Sequence, residues 1–239
     1  MTAVLLAAGV SARLRPLTDA TPKSLLSVGG KPLLQRTLEI LQLAGIQRCI
    51  IVTGYLHEVL EAFVQSLALN LEITFVHNPL FSSTNNNYSL WLSHAALNGD
   101  DMLLLDADIL FDPRILTRLQ ESPHADALVM RRSNELGHEE IKLELDLHGH
   151  VVKIGKEVDP QKSSGESLGI EKLSATTAQK LFDALGRRKD QNEFYEASFQ
   201  EIIDTGAEIY AVESGEFPCM EIDTPEDFVT ADRLASLLQ

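Results

Sequence analysis

Short apolar runs alternate with amphipathic stretches through the first half of the chain. The run at residues 3–8 has the length of a buried strand. Over residues 33–44, Leu34, Leu38 and Leu41 fall at i, i+4 and i+7, and Gly45 supplies the stop, so the spacing predicts a helix. Residues 48–53 (RCIIVT) are rich in β-branched side chains and read as a second buried strand. Residues 55–67 return to helical spacing, 73–76 form a third strand, 88–97 are helical again, and 102–105 lead a fourth strand into Asp106. This alternation predicts right-handed βαβ crossovers. The fold class expected is α/β, a Rossmann-like, mainly parallel mixed sheet flanked by helices on both faces.

The second half is less regular. Residues 127–130 read as another central strand, whereas 141–147 alternate like a half-solvated antiparallel strand. The turn His148-Gly149-His150 joins that strand to residues 151–154, which predicts a small antiparallel hairpin appendage. Residues 156–167 are polar, with Pro160 and Gly165, and read as a mobile loop near a site. Helices are expected at about 175–188 and 195–204, strands near 209–212 and 220–222, and a last helix from Pro225.

Composition narrows the possibilities. The 239 residues include 20 Lys+Arg and 35 Asp+Glu, a net charge of −15, which disfavours a general nucleic-acid or anionic-membrane binder. With 44% hydrophobic and 23% charged residues the chain has a globular composition, and its length suits one α/β domain spanning 1–239. Cys49 and Cys219 have no metal-type or redox spacing, so a reduced, cytoplasmic setting is expected. The opening apolar run is too short for a signal peptide or a membrane span.

Charge is unevenly placed. Residues 1–50 carry six basic side chains and two acidic ones, against the acidic excess elsewhere. Either a solvated basic face or a site for a small polyanion would produce this. Arg13, Arg15 and Lys23 lie in residues 10–24 (VSARLRPLTDATPKS), a long loop after the first strand, and open α/β sheets bind ligands at that edge. Two familiar phosphate loops are excluded. Leu25 stands where a Walker loop needs glycine, and Ser11 and Leu14 stand where a dinucleotide fingerprint needs it.

Asp106-Ala107-Asp108 closes the fourth strand. Carboxylates at the end of a buried strand need a partner, and Mg²⁺ is one; helix-capping or loop-pairing aspartates, or an Asp-x-Asp glycosyltransferase, would give the same string. The Asn run in residues 83–92 (STNNNYSLWL) suits either a helix cap or the edge of a base. The seven His show no metal-binding pairing, and no Ser or Cys has the flanks of a nucleophile elbow.

Leu6-Ala7-Ala8-Gly9, Arg13-Leu14-Arg15-Pro16-Leu17-Thr18, Thr21-Pro22-Lys23 and Lys31-Pro32-Leu33 together resemble the signature of the nucleoside-triphosphate transferases, the sugar-phosphate and choline-phosphate nucleotidylyltransferases. The family usually has a second glycine where Ser11 stands. Asn86-Asn87-Tyr88-Ser89-Leu90 resembles the bacterial choline-phosphate cytidylyltransferases in particular, and the strings at residues 165–171 and 194–196 are similar to them too. The resemblance implies that Arg13 holds the β- and γ-phosphates and Lys23 the α-phosphate. It implies that Leu6, Ala7, Ala8, Gly9, Gly54, Asn86, Ser89 and Asp106 contact the nucleotide, and that Asp108 and Asp223 hold one Mg²⁺. For Asp223 a helix-cap role is the alternative. Residues of about 1–125 would then bind the nucleotide, and about 126–239 would bind the acceptor and supply the second metal ligand.

The reaction implied is transfer of CMP from CTP to a phosphorylated amino alcohol or phosphonate, namely phosphocholine, phosphoethanolamine or aminoethylphosphonate, with release of pyrophosphate. Glu171, Tyr195 and Glu196 are the candidates for the acceptor's ammonium group, through carboxylate and aromatic attraction. A homodimer is left open; no nucleic-acid or membrane partner is expected. A sugar-1-phosphate or inositol-phosphate nucleotidylyltransferase is the alternative enzyme, and a catalytically silent nucleotide sensor the alternative of another class. Pyrophosphate release over a panel of acceptors separates them.

Overall fold

The computed structural model describes residues 1–133, 136–236 and 238. Its first half runs β1 (Thr2–Ala7), β2 (Ser27–Val28), β3 (Lys31–Pro32), α1 (Leu33–Leu43), β4 (Arg48–Thr53), α2 (His57–Ser66), β5 (Glu72–His77), α3 (Asn86–Leu92), α4 (His94–Leu97) and β6 (Met102–Asp106). β1 pairs in parallel with both β4 and β6, and β4 with β5. Consecutive residues of β1 serve opposite layers, since Val4 joins one core cluster while Ala3 and Leu5 join the other. Burial on both faces is why the run is continuously apolar rather than alternating. In α1 the stripe Leu34, Leu38 and Leu41 is fully buried, and Gly45, at φ +80, ends the helix as its amide donates to the Gln42 carbonyl. Truncating one such leucine to alanine would cost about 2–5 kcal/mol.

The second half runs β7 (Ile109–Phe111), α5 (Pro113–Glu121), β8 (Ala127–Arg131), β9 (Lys142–Leu145), β10 (Val151–Gly155), β11 (Gly165–Leu173), α6 (Ala175–Arg187), α7 (Glu196–Asp204), β12 (Tyr210–Glu213), β13 (Cys219–Glu221) and α8 (Pro225–Ala235). The hairpin β9–β10 forms around its predicted turn, where the Asp146 carboxylate accepts the His148 and His150 amides. It is hydrogen-bonded to the main sheet through β11. The sheet is thus mixed, with a parallel part β6-β1-β4-β5 and an antiparallel part organised by β11.

Three local expectations are corrected. The polar loop read as reaching residue 167 ends earlier, because Gly165 already begins β11, which pairs with β6, β8 and β9. Its charged residues hid it: Glu166 and Lys172 are buried with partners, Arg131 and the Ser122 carbonyl. The single helix expected over 88–97 is two helices broken at Ser93, whose hydroxyl donates to the Leu90 carbonyl, an interaction that bends helices. The elements β7 and α5 were not anticipated, although Asp112 caps α5 by accepting the Arg114 amide, with Pro113 at the first helical position. Among the described residues no helix is long and apolar enough to cross a membrane. Both cysteines are free and buried.

Candidate active site

A cavity of about 720 Å³ opens where β1 and β6 end, walled by Leu6, Ala7, Ala8 and Gly9 on one strand and Asp106, Ala107 and Asp108 on the next. The loop after β1 holds its path without the second glycine. Ser11 adopts φ 51, ψ 49, the left-handed region that glycine enters freely, and its carbonyl accepts the Thr18 hydroxyl at 3.0 Å. Leu14, fully buried in a small core with Ile222 and Ala231, anchors the loop from beneath and leaves Arg13 on the cavity wall.

Two carboxylates from distant parts of the chain meet there. β7 and β13 form an antiparallel ribbon in which the Ile222 amide donates to the Asp108 carbonyl at 3.1 Å, so the residues flanking the ribbon, Asp108 and Asp223, are brought together. Lys23 Nζ lies between them, 2.6 Å from Asp108 Oδ2 and 2.7 Å from Asp223 Oδ1. Arg13 Nη2 lies 2.8 Å from Asp223 Oδ2. Burial alone would lower the Lys23 pKa, but Asp108 and Asp223 outweigh it and hold the ammonium above the usual lysine range. Burial raises Asp223, yet Lys23 and then Arg13 bring it below the usual carboxylate range. The helix-cap alternative for Asp223 is taken by its neighbours: the Thr224 hydroxyl accepts the Asp227 amide and Asp227 Oδ2 accepts that of Thr224, a capping box. The Asp223 carboxylate is thereby free for the site.

Asn86 and Ser89 also line the cavity. The Asn run, however, mainly ties α3 to the loop before α7. The Asn85 amide donates to the Gln191 carbonyl at 2.9 Å, Asn87 Nδ2 donates to the Asp190 carbonyl at 3.1 Å, and Asn86 Oδ1 accepts the Tyr195 amide at 2.9 Å. The Ser89 hydroxyl accepts from Asn78 Nδ2 at 3.1 Å. Glu196 reaches the cavity; Gly54, Glu171 and Tyr195 do not form part of its wall. Gly54 packs behind, where a Cβ would come within 2.6 Å of the Ala8 carbonyl. Tyr195 is 1% exposed, its ring is tilted against Phe199, and its hydroxyl donates to Asp106 Oδ2 at 3.1 Å. Glu171 lies beneath Ser167, whose hydroxyl donates to it at 3.4 Å. The floor of the site is therefore acidic and buried. Burial, then Asp108, raises Asp106 well above the carboxylate range; burial, then Glu196, does the same to Glu171; and burial lifts Glu196 to about 7.

Residues 3–189 match the MobA-like NTP transferase domain. The chain belongs to this family. It is 37% identical over 130 residues to the CMP-5'-(3-aminopropyl)phosphonate synthase of Streptomyces rubellomurinus, covering 54% of this chain and 20% of that protein. It is 35% identical over 154 residues to the choline-phosphate cytidylyltransferase of Haemophilus influenzae, covering 64% and 62%. The chain thus matches about a fifth and about three-fifths of these two relatives' lengths. The inositol-1-phosphate CTP transferase of T. maritima shares the fold, with TM-score 0.83, 24% identity and coverage of 99% and 95%.

In this NTP transferase domain the basic excess of residues 1–50 only partly serves the cavity. Lys31 pairs with Glu39, Arg36 donates to the Val28 and Gly29 carbonyls, Arg48 pairs with Asp100 and Arg15 with Asp19, which leaves Arg13 and Lys23 at the cavity. Further lining residues escaped the sequence reading. Arg131, at the end of β8, is fixed by Glu166 at 2.5 Å and by the Cys219 carbonyl at 2.9 Å. Lys156 lies 4.9 Å from the centre of the Phe194 ring and 3.0 Å from Glu139. Glu221, raised to about 7 by burial and by Asp108 and Asp223, adds another acid. Two further cations thus line the cavity besides Arg13 and Lys23; a basic residue ending a strand was the one signal available for Arg131.

Proposed function

We propose that the protein transfers CMP from CTP to a small phosphorylated amine, a phosphomonoester of an amino alcohol or an aminophosphonate, and releases pyrophosphate. The observation that carries this reading is the Lys23 ammonium held between Asp108 and Asp223, with Arg13 beside it, at the carboxyl edge of β1 and β6. Both relatives named above carry a cytidine nucleotide or its transfer in their names, and both act on phosphorylated or phosphonate amines by those names. Residues of about 1–125 would hold the nucleotide and about 126–239 the acceptor.

An acceptor phosphate oxygen attacks the α-phosphorus in line, the new P–O bond forming as the bond to pyrophosphate breaks. The chain's part is positioning and charge. Lys23 stands where negative charge builds on the α-phosphate, a role in which one lost donor typically costs about 10²- to 10³-fold in rate. Arg13 engages the outer phosphates, Arg131 and Lys156 the acceptor phosphate, and the wall from Leu6 to Gly9, with Asn86, Ser89 and Asp106, the nucleoside. Glu196 serves the amine end from the cavity wall, with Glu171 and Tyr195 buried behind it.

The residues present fit Mg²⁺. Asp108 Oδ1 is buried with no hydrogen-bond partner, beside a second carboxylate, and paired hard oxygens with an unsatisfied lone pair suit that ion. Asp108 and Asp223 would hold it, and no cluster of three or more metal-binding side chains occurs among the described residues, so phosphate oxygens and water would complete the shell. When bound, the ion neutralises phosphate charge.

The deciding experiment measures pyrophosphate release from ATP, GTP, UTP and CTP with phosphocholine, phosphoethanolamine, aminoethylphosphonate, glucose-1-phosphate and inositol phosphate. CTP with one of the amine acceptors should give the highest kcat/KM. A preference for a sugar or inositol phosphate would overturn the acceptor class, and nucleotide binding without turnover on any acceptor would point to a sensor.

A further inference from the structure

The floor of the acceptor half is unusual in what it leaves unpaired. Glu196 is 7% exposed and Glu171 is 1% exposed, and Oε2 of each is buried without a hydrogen-bond partner. Glu196 lines the cavity and Glu171 sits directly below Ser167, which also lines it. Burying a carboxylate oxygen without a donor costs several kcal/mol, so the site is incomplete without something that brings N–H or O–H groups. Among the described residues no cation hydrogen-bonds either oxygen: Lys156, whose charge does act on Glu196, donates to Glu139, and Arg131 donates to Glu166 and the Cys219 carbonyl.

The aromatic inventory is equally informative. Among the described residues the aromatics lining the cavity are Phe81 and Phe194. Phe81 packs beside Gly54 and Tyr55 at the nucleotide end, and the Phe194 ring already has Lys156 near it. The Tyr195 ring is buried against Phe199. A quaternary ammonium has no N–H and is recognised by uncovered aromatic faces; a primary ammonium carries three donors and is recognised by acceptor oxygens.

We infer that the acceptor's head group is a primary ammonium, as in ethanolamine phosphate or a short aminoalkylphosphonate, which donates to Glu196 beside the Ser167–Glu171 pair, and that the quaternary head group of phosphocholine is discriminated against. The inference rests on the reading of this cavity as that of a CMP transferase acting on phosphorylated amines. It selects within that class, because a trimethylammonium group would leave the Glu196 oxygen unsatisfied, and sites built to hydrogen-bond a donor reject analogues lacking it strongly.

The test is kcat/KM with CTP across phosphoethanolamine, its N-methyl and N,N-dimethyl forms, and phosphocholine, with glucose-1-phosphate and inositol phosphate alongside. Activity should decline along the methylation series, with a ratio of primary to quaternary of at least tenfold and on the order of 10². A ratio below tenfold, or a preference for phosphocholine, overturns the inference and leaves the broader transferase reading standing. A preference for the sugar or inositol phosphate overturns both. In the same assay Glu196→Gln should raise the KM for phosphoethanolamine about tenfold, leave that for CTP unchanged and narrow the primary-to-quaternary ratio. Glu196→Asp, which withdraws the carboxylate oxygens from the head group, should do the same and serves if the first variant does not fold. A folded variant that keeps the wild-type ratio overturns the assignment of Glu196.

Discussion

Glu196→Gln also reads out the energetic cost of the acidic floor. Burial lifts the Glu196 pKa from 4.5 to about 7 in the folded chain. Between those values the native state holds a proton that the unfolded state has released, so stability falls as pH rises through this window. The contribution is fully present below pH 4.5 and lost once pH exceeds about 7. A displacement of this size corresponds to about 3 kcal/mol. Gln fills the same space and does not ionise. The variant should therefore match wild type near pH 4.5 and exceed it by up to about 3 kcal/mol at pH 8. Urea denaturation of both proteins across pH 4.5–8.5, analysed as the difference between them, reads Glu196 together with the relief that its removal gives Glu171, which its charge also raises. Parallel stability curves would refute the reasoning, since they would mean that Glu196 remains ionised and solvated in the native state.

Lys23→Ala should lower kcat about 10²- to 10³-fold with a modest change in the KM for CTP, whereas Arg13→Ala should raise that KM as well; identical profiles in pyrophosphate-release kinetics would remove the division of roles. Asp108→Asn and Asp223→Asn should each abolish Mg²⁺-dependent turnover while circular dichroism shows an unchanged fold, and wild-type rates in either would sink the metal assignment. Gly54→Ala forces a Cβ within 2.6 Å of the Ala8 carbonyl and 2.7 Å of Phe81 Cβ, and neither can swing aside. It should destabilise the protein by about 1–3 kcal/mol, read as a lower denaturation midpoint.

The parallel half of the fold was legible because its strands are buried on both faces and its helices carry regular stripes; β4 spans the residues expected, and α1 ends one residue early. β11 was not, because its buried charges Glu166, Glu171 and Lys172 break the apolar pattern that marks a central strand. The site was legible where a motif carries it: the loop with Arg13 and Lys23 and the two aspartates all come to one cavity. Phe194 lines the cavity whereas the adjacent Tyr195 faces the core, and composition cannot tell which of two adjacent aromatics the start of a helix turns inward. Arg131 and Lys156 carried no spacing signal, since they reach the cavity from separate strand ends brought together through the antiparallel part of the sheet.

Lys23 and Asp223 are 200 residues apart along the chain, and their contact closes nearly the whole polypeptide into one loop. Closing a loop of that length costs about 5 kcal/mol of chain entropy. The ribbon of β7 with β13, the capping box of α8 and the small core around Leu14 together hold it shut. A nucleotide bound across Arg13, Lys23 and Asp223, as proposed, would act as a strap across the seam between the two ends of the chain. Its arrival should slow hydrogen exchange along α8 far more than in the central parallel strands, so the last helix, which follows Asp223 and brings Asp227 to the cavity, becomes the most sensitive reporter of occupancy.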